Sequence, residues 1–240
     1  MADIMTAEGL KSELQRYANA EDAVFLQRFF KTGEGQYGAG DQFIGVRVPD
    51  TRKACKSAGK MPLSEVEELL KSDVHEHRLA AVILLADQFK SVASSGQEDI
   101  YRLYLKALER GYINNWDIVD TSAEFIVGEY LWERPRESLL ELARHQDVWH
   151  RRVAVLASFQ FIKKGDASTT LELAKVLLHD SHDLIQKAVG WMLREVGKRV
   201  SRELLITFLE EHHKDMPRTM LRYAIEHLEP SQRAHFMERV

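Results

Sequence analysis

The chain has 240 residues, 45% hydrophobic and 29% charged, which is enough for a buried core and typical of an ordinary globular protein. No apolar run approaches the roughly 20 residues that a spanning helix needs, and a single cysteine, Cys55, excludes an internal disulfide. The net charge of -4 argues against a uniformly basic nucleic-acid binder, but it hides an asymmetry: residues 144–222 hold 14 Lys/Arg against 10 Asp/Glu, while the rest holds 19 against 27.

The first residues, MADIMTAEGLKSELQRY, mix charge into an amphipathic pattern and lack the apolar centre of a signal peptide, so an intracellular (cytoplasmic) protein is expected. Residues 31–49, KTGEGQYGAGDQFIGVRVP, interrupt the helical text with five glycines. No apolar strand precedes this stretch and no Gly-Lys-Ser/Thr ending follows, so it is not a nucleotide loop. It is either a long ordered connection or a backbone-amide contact for phosphate assisted by Arg47.

Beyond it, apolar residues recur at spacings of three and four, as in Leu79, Val82, Ile83 and Ala86 and again in Val153, Leu156, Ala157 and Phe161. Prolines 49, 62, 135, 217 and 230 are each read as opening a helix, and glycines 59, 96, 111, 165 and 197 as closing one. A pattern of arginine or apolar residue, two residues, then alanine recurs at Arg78–Ala81, Arg151–Ala154, Ile185–Ala188 and Leu221–Ala224. The alanines are 73, 34 and 36 positions apart, the first gap fitting two units of one period. The expectation is an all-α chain, a single domain over 1–240 built as an α-solenoid of HEAT-like repeats with a concave binding surface.

Asn114-Asn115-Trp116-Asp117-Ile118-Val119-Asp120 sets an indole and a carboxylate one helical turn apart, where they share a face and can receive a cation. Asp117, three residues after Asn114 as N-cap, is assigned to helix capping and dipole compensation and is given no chemical role. That leaves Asp120 as the candidate for chemistry. Trp149-His150-Arg151-Arg152 opens one repeat helix and Gln186 to Arg194, with Gly190 and Trp191, lies in the next. The arginines either bridge repeats or grip phosphate, and Gly190 inside a helix implies close approach by another surface. His75 with His77, and His212 with His213, lack the i, i+4 spacing of a helical zinc pair, and no nucleophile elbow is present, so neither metal nor cofactor is expected.

Together FFKTGEGQYGAGDQFIGVRVP, NNWDIVD, WHRRVAV and IQKAVGWMLRE resemble the AlkD-type alkylpurine DNA glycosylases, over roughly residues 29–195. The resemblance implies a catalytic aspartate at Asp120, cleft tryptophans at Trp116 and Trp191, and a backbone-clamping arginine at Arg152. Arg151, Lys187, Arg194 and Arg47 are the accompanying phosphate contacts. Where some members carry two adjacent tryptophans, this chain has Asn115 and Trp116. The implied function is a monofunctional glycosylase, a monomer acting on duplex DNA without a metal or membrane. It releases cationic N3- or N7-alkylated purines and leaves an abasic site. Such a base is already an activated leaving group, so one carboxylate suffices to stabilise the oxocarbenium-like sugar, and capture of the base without extrusion is also implied. The alternative is a non-catalytic HEAT-repeat module that binds DNA or protein.

Overall fold

The computed structural model describes residues 4–238, and the described residues form helices and connections with no strand beyond an isolated parallel bridge between Gln42 and Val74. Their contacts divide into two units that meet in sequence after Ser122. No helix among the described residues is long and apolar enough to cross a membrane. The N-terminal reading falls partly on residues 1–3, which lie outside the described part.

Unit 1 comprises α1 (Ala7–Gln15), α2 (Ala20–Phe29), α3 (Val48–Ala58), α4 (Leu63–Leu70), α5 (His75–Phe89), α6 (Ser94–Glu109) and α7 (Trp116–Ala123), the last reaching one residue past the division. Side-chain oxygens of Thr6 and Asn19 accept the first orphan amides of α1 and α2. The centre of the unit is α5, against which α1, α3, α4 and α6 pack. The spacing of Leu79, Val82, Ile83 and Ala86 predicts one apolar stripe, yet every residue of α5 except Asp87 is buried. A helix surrounded on all sides must place its polar residues against partners rather than water. His75, Glu76, His77 and Arg78, the whole first turn, are such residues.

Unit 2 follows with a π-helical turn (Glu124–Gly128), α8 (Glu129–Leu131), α9 (Glu137–Ala143), α10 (Val148–Lys163), α11 (Ser168–Val176), α12 (Asp183–Arg199), α13 (Arg202–His212), α14 (Arg218–Ala224) and α15 (Pro230–Met237). Here the repeat is visible in the packing: α10 lies on α12 and α12 on α14, while α9, α11 and α13 pack against these or one another as a second row. The periodic alanines Ala154, Ala188 and Ala224 are all buried on the first row, as Ala81 is on α5. Small residues at these positions let helix axes approach.

Two sets of punctuation differ from expectation. Pro49 and Pro230 stand in first helical turns and Pro62 and Pro217 at N-caps, but Pro135 lies in the connection before the Arg136 N-cap of α9. Gly59, Gly111 and Gly165 follow helices with positive φ, whereas Gly96 and Gly197 are inside α6 and α12. Gly197 serves packing instead: a Cβ there would come within 2.5 Å of Leu205 Cδ2 on α13.

Candidate active site

The turn that begins α7 is held by a buried charge network within unit 1. His75 Nδ1 lies 3.0 Å from Asp41 Oδ2 and His75 Nε2 lies 2.8 Å from Asp117 Oδ2. Arg78 Nη2 donates to the other Asp41 oxygen at 2.6 Å and to Asn114 Oδ1 at 3.1 Å, while Asn114 Nδ2 and Asn115 Nδ2 donate to Asp41 at 2.9 and 3.3 Å. Ionised carboxylates only accept hydrogen bonds, so two of them on opposite ring nitrogens require both nitrogens to carry protons. His75 is an imidazolium. Burial works against that charge, but the charges and hydrogen bonds of Asp117 and Asp41 outweigh it and push His75 up to about 9. Burial likewise opposes ionisation of Asp41, and His75, Arg78 and Asn114 overcome it, holding the carboxyl below its usual range. The two cations and two anions balance, which is what allows all four to be buried.

This geometry corrects the capping assignment. Asn114 is committed to Arg78 and Asp41; the backbone oxygen of Asn115 accepts the Val119 amide, and its Oδ1 accepts from Trp116 N at 2.9 Å. Asp117 accepts the next amide, Ile118, through one oxygen and His75 through the other. Asp117 keeps the expected place of an acid in the first helical turn, while its second oxygen goes to a tertiary partner 42 residues away.

Trp116 and Asp120 both lie on α7, one turn apart and half-buried. Trp116 stacks on Phe30 with centroids 5.2 Å apart and planes at 15°, and meets Phe29 edge-on at 6.0 Å. Phe30 in turn stacks on Phe43 at 5.0 Å, and both rings lie against His75, at 4.9 and 4.4 Å. The indole is braced from beneath by an aromatic column resting on the buried cation. Deeper in the unit, fully buried Tyr104 shares a hydrogen bond with Ser122 of α7 at 2.9 Å. Burial raises the Tyr104 hydroxyl, and the nearby Asp120 charge adds to that.

The glycine-rich stretch resolves as an ordered connection. The amides of Ile44, Gly45 and Val46 all donate to the buried carboxylate of Glu76, the Gly45 bond being 2.8 Å. A nest of amides that could cradle phosphate is occupied by the protein's own anion. Gly45 has φ of 84°, and a Cβ there would fall 1.9 Å from Asn19 O, so only glycine lets this loop lie on the start of α2. Arg47 is exposed and paired in a two-pronged contact with Asp22, Nε donating to Oδ2 at 2.9 Å.

Unit 2 carries the other candidates. Asp147 caps α10 by accepting from Trp149 and His150. Arg151 donates through Nε to Asp180 at 2.7 Å and through Nη1 to the carbonyls of His145 and Gln146. Arg152 is buried and its Nη1 donates to Leu184 O of α12 at 2.6 Å. Lys187 pairs with Asp183 at 2.6 Å, and Arg194 with Glu226. Trp191 is half-buried against Phe159 of α10, with centroids 5.8 Å apart. The expected close approach at Gly190 is present: a Cβ would come within 2.4 Å of Met220 O and 2.6 Å of Tyr223 Cβ, so α14 packs directly onto α12 backbone.

A family model described as DNA alkylation repair enzyme matches residues 10–228. The chain belongs to this family. Among solved structures it is similar to a predicted DNA alkylation repair enzyme from Enterococcus faecalis, with a TM-score of 0.68 and 17% identity, covering 89% of this chain and 97% of that one. At that identity the likeness speaks for the shared helical fold. No curated protein matches the sequence.

For this member of the DNA alkylation repair family, the residues sequence reasoning missed are Asp41, His75, Glu76 and Arg78. One signal could have found them: four consecutive polar residues opening a helix whose remainder is almost wholly apolar demand buried partners. Their identity was not readable, since Asp41 and Asp117 lie 34 and 42 residues from His75.

Proposed function

We propose that the chain is a monofunctional DNA glycosylase that hydrolyses the N-glycosidic bond of cationic N3- or N7-alkylated purines in duplex DNA. The reading rests on one observation above the others: a half-buried carboxylate, Asp120, one helical turn below an indole braced by Phe30. As the bond to the charged base breaks, the sugar gains positive charge. Asp120 stabilises that cation and orients water, and the π face of Trp116 adds attraction. A leaving group that is already cationic needs no acid. The protein acts as a monomer inside the cell, with neither metal nor cofactor.

The basic residues differ in how readily they reach a phosphate. Arg47 and Lys187 sit in solvent-exposed ion pairs, which a DNA phosphate can replace at small cost. Arg151 and Arg194 are half-buried braces. Arg152 is buried and donates through Nη1 to Leu184 O; by the family resemblance we assign it the principal backbone contact. Arg152→Ala should reduce the log-affinity versus log-salt slope by about 1.

Incubation of methylated duplex DNA with the protein, followed by assay of free base and abasic sites, tests the activity. Asp120→Asn should slow single-turnover release by about 2 to 4 kcal/mol of barrier while leaving folding and duplex affinity unchanged; a rate within twofold of wild type removes Asp120 from the chemistry. Rapid release of uracil with none of N7-methylguanine overturns the mechanism.

A further inference from the structure

The network beneath α7 contains more than a stable core requires. Replacing buried ion pairs by apolar residues of similar volume is often neutral or stabilising, so four buried ionised groups are poorly explained by stability alone. Their partners all converge on one place. Asp41 collects His75, Arg78, Asn114 and Asn115, and three of the residues in the network, Asn114, Asn115 and Asp117, are the last two before α7 and the second within it.

We propose that His75 is a positioning residue for the α7 site: an imidazolium bridging Asp41 and Asp117 that locks the turn carrying Trp116 and Asp120. The proposal rests on the glycosylase reading for its consequence in catalysis, though the bridge itself is geometric. Asp117 and Asp120 are three residues apart on one short helix, so a rotation at Asp117 moves Asp120 with it. Beneath Trp116, Phe30 touches both the indole and the His75 ring, and Phe43 touches Phe30 and His75, so His75 supports the two functional side chains by separate routes, one polar and one aromatic. Neutral imidazole has one N–H and could satisfy only one carboxylate, leaving the other without its donor. Loss of the proton therefore releases one end of the bridge. The charged groups facing His75 are Asp41 from the loop and Asp117 from α7, with Arg78 of α5 behind Asp41; Glu76 is engaged by the amides of residues 44–46. The ring loses its proton as pH rises through about 9.

The test uses the full chain and His75→Gln, which keeps bulk and donor character but cannot supply two opposed N–H bonds. Amide hydrogen exchange over residues 116–122 should be at least tenfold faster in the variant at pH 7, with α12 unchanged as an internal control. Single-turnover release from an N7-methylguanine duplex should fall ten- to a hundredfold in the variant, with duplex affinity within twofold of wild type. The wild-type rate should decline as pH passes through about 9, and the variant should lack that limb. Should His75→Gln fail to fold, Asp117→Asn preserves size and the His75–Asp41 bond and should give a smaller loosening of the same segment. Wild-type exchange over α7 in a folded variant, or a wild-type rate flat from pH 8 to 10, overturns the proposal. If wild type releases no base while exchange shows the loosening, the glycosylase reading fails and the positioning role stands.

Discussion

The two units solve the same problem, polar groups inside helical packing, in opposite ways. Unit 1 concentrates them: Asp41, His75, Arg78, Asn115 and Asp117 form one buried network in which each member holds at least one other. Unit 2 distributes them. Arg136 pairs with Asp166, Arg151 with Asp180 and Arg194 with Glu226, separations of 30, 29 and 32 residues, close to the repeat length. Each of these links consecutive helix pairs once, and each is at least partly solvated. The difference teaches where loss is tolerable: a repeated brace can fail singly, whereas a connected network strands a charge whenever one member is removed.

The largest break in this contrast should come from Asp41→Ala. It leaves His75 and Arg78 with one buried anion between them, and denaturant unfolding should show a loss of about 3–5 kcal/mol. A loss under 1 kcal/mol would mean that the network is already wet. Its titration sharpens the same point. The contribution of His75, whose pKa is raised, is complete below about 6.5 and disappears as pH rises through about 9. That of Asp41, whose pKa is lowered, is present above 3.8 and is lost as pH falls below it. Wild-type stability measured against pH should show both limbs, and both should shrink in Asp41→Ala.

In unit 2 the sensitive element is packing rather than charge. Gly190→Ala drives a methyl into the Met220 carbonyl and the Tyr223 Cβ, so α14 must move off α12. Thermal or denaturant unfolding should register about 1–3 kcal/mol, the usual cost of overpacking. Smallest is Arg151→Ala, which removes one half-buried brace to Asp180. It should cost about 1 kcal/mol, the upper end of the range for solvated pairs, and a loss as large as that of Asp41→Ala would erase the distinction between the units.

Much of the helical text was legible because it is local. Spacings of three and four marked α5 and α10, the periodic alanines marked the stacked row of unit 2, and Gly190 announced the contact with α14. Trp116 and Asp120 could be placed on one helix from spacing alone. The errors were also local in origin. Residue type alone makes Gly96 and Gly197 stops, yet both lie inside helices, and spacing alone makes Asn114 the cap before Asp117, where Asp41 and Arg78 engage Asn114 and His75 takes an oxygen of Asp117.

By itself, then, the sequence determined the all-helical class, the positions of most helices and the pair of side chains on α7, since these follow from backbone periodicity and the chemistry of single residues. Only the tertiary structure decided what the polar residues do: that Glu76 fills the amide nest at 44–46, that Arg47 turns to Asp22, and that His75 is charged between Asp41 and Asp117. The state of a titratable group depends on which charges burial brings within a few ångströms, and that choice is made by packing between segments tens of residues apart.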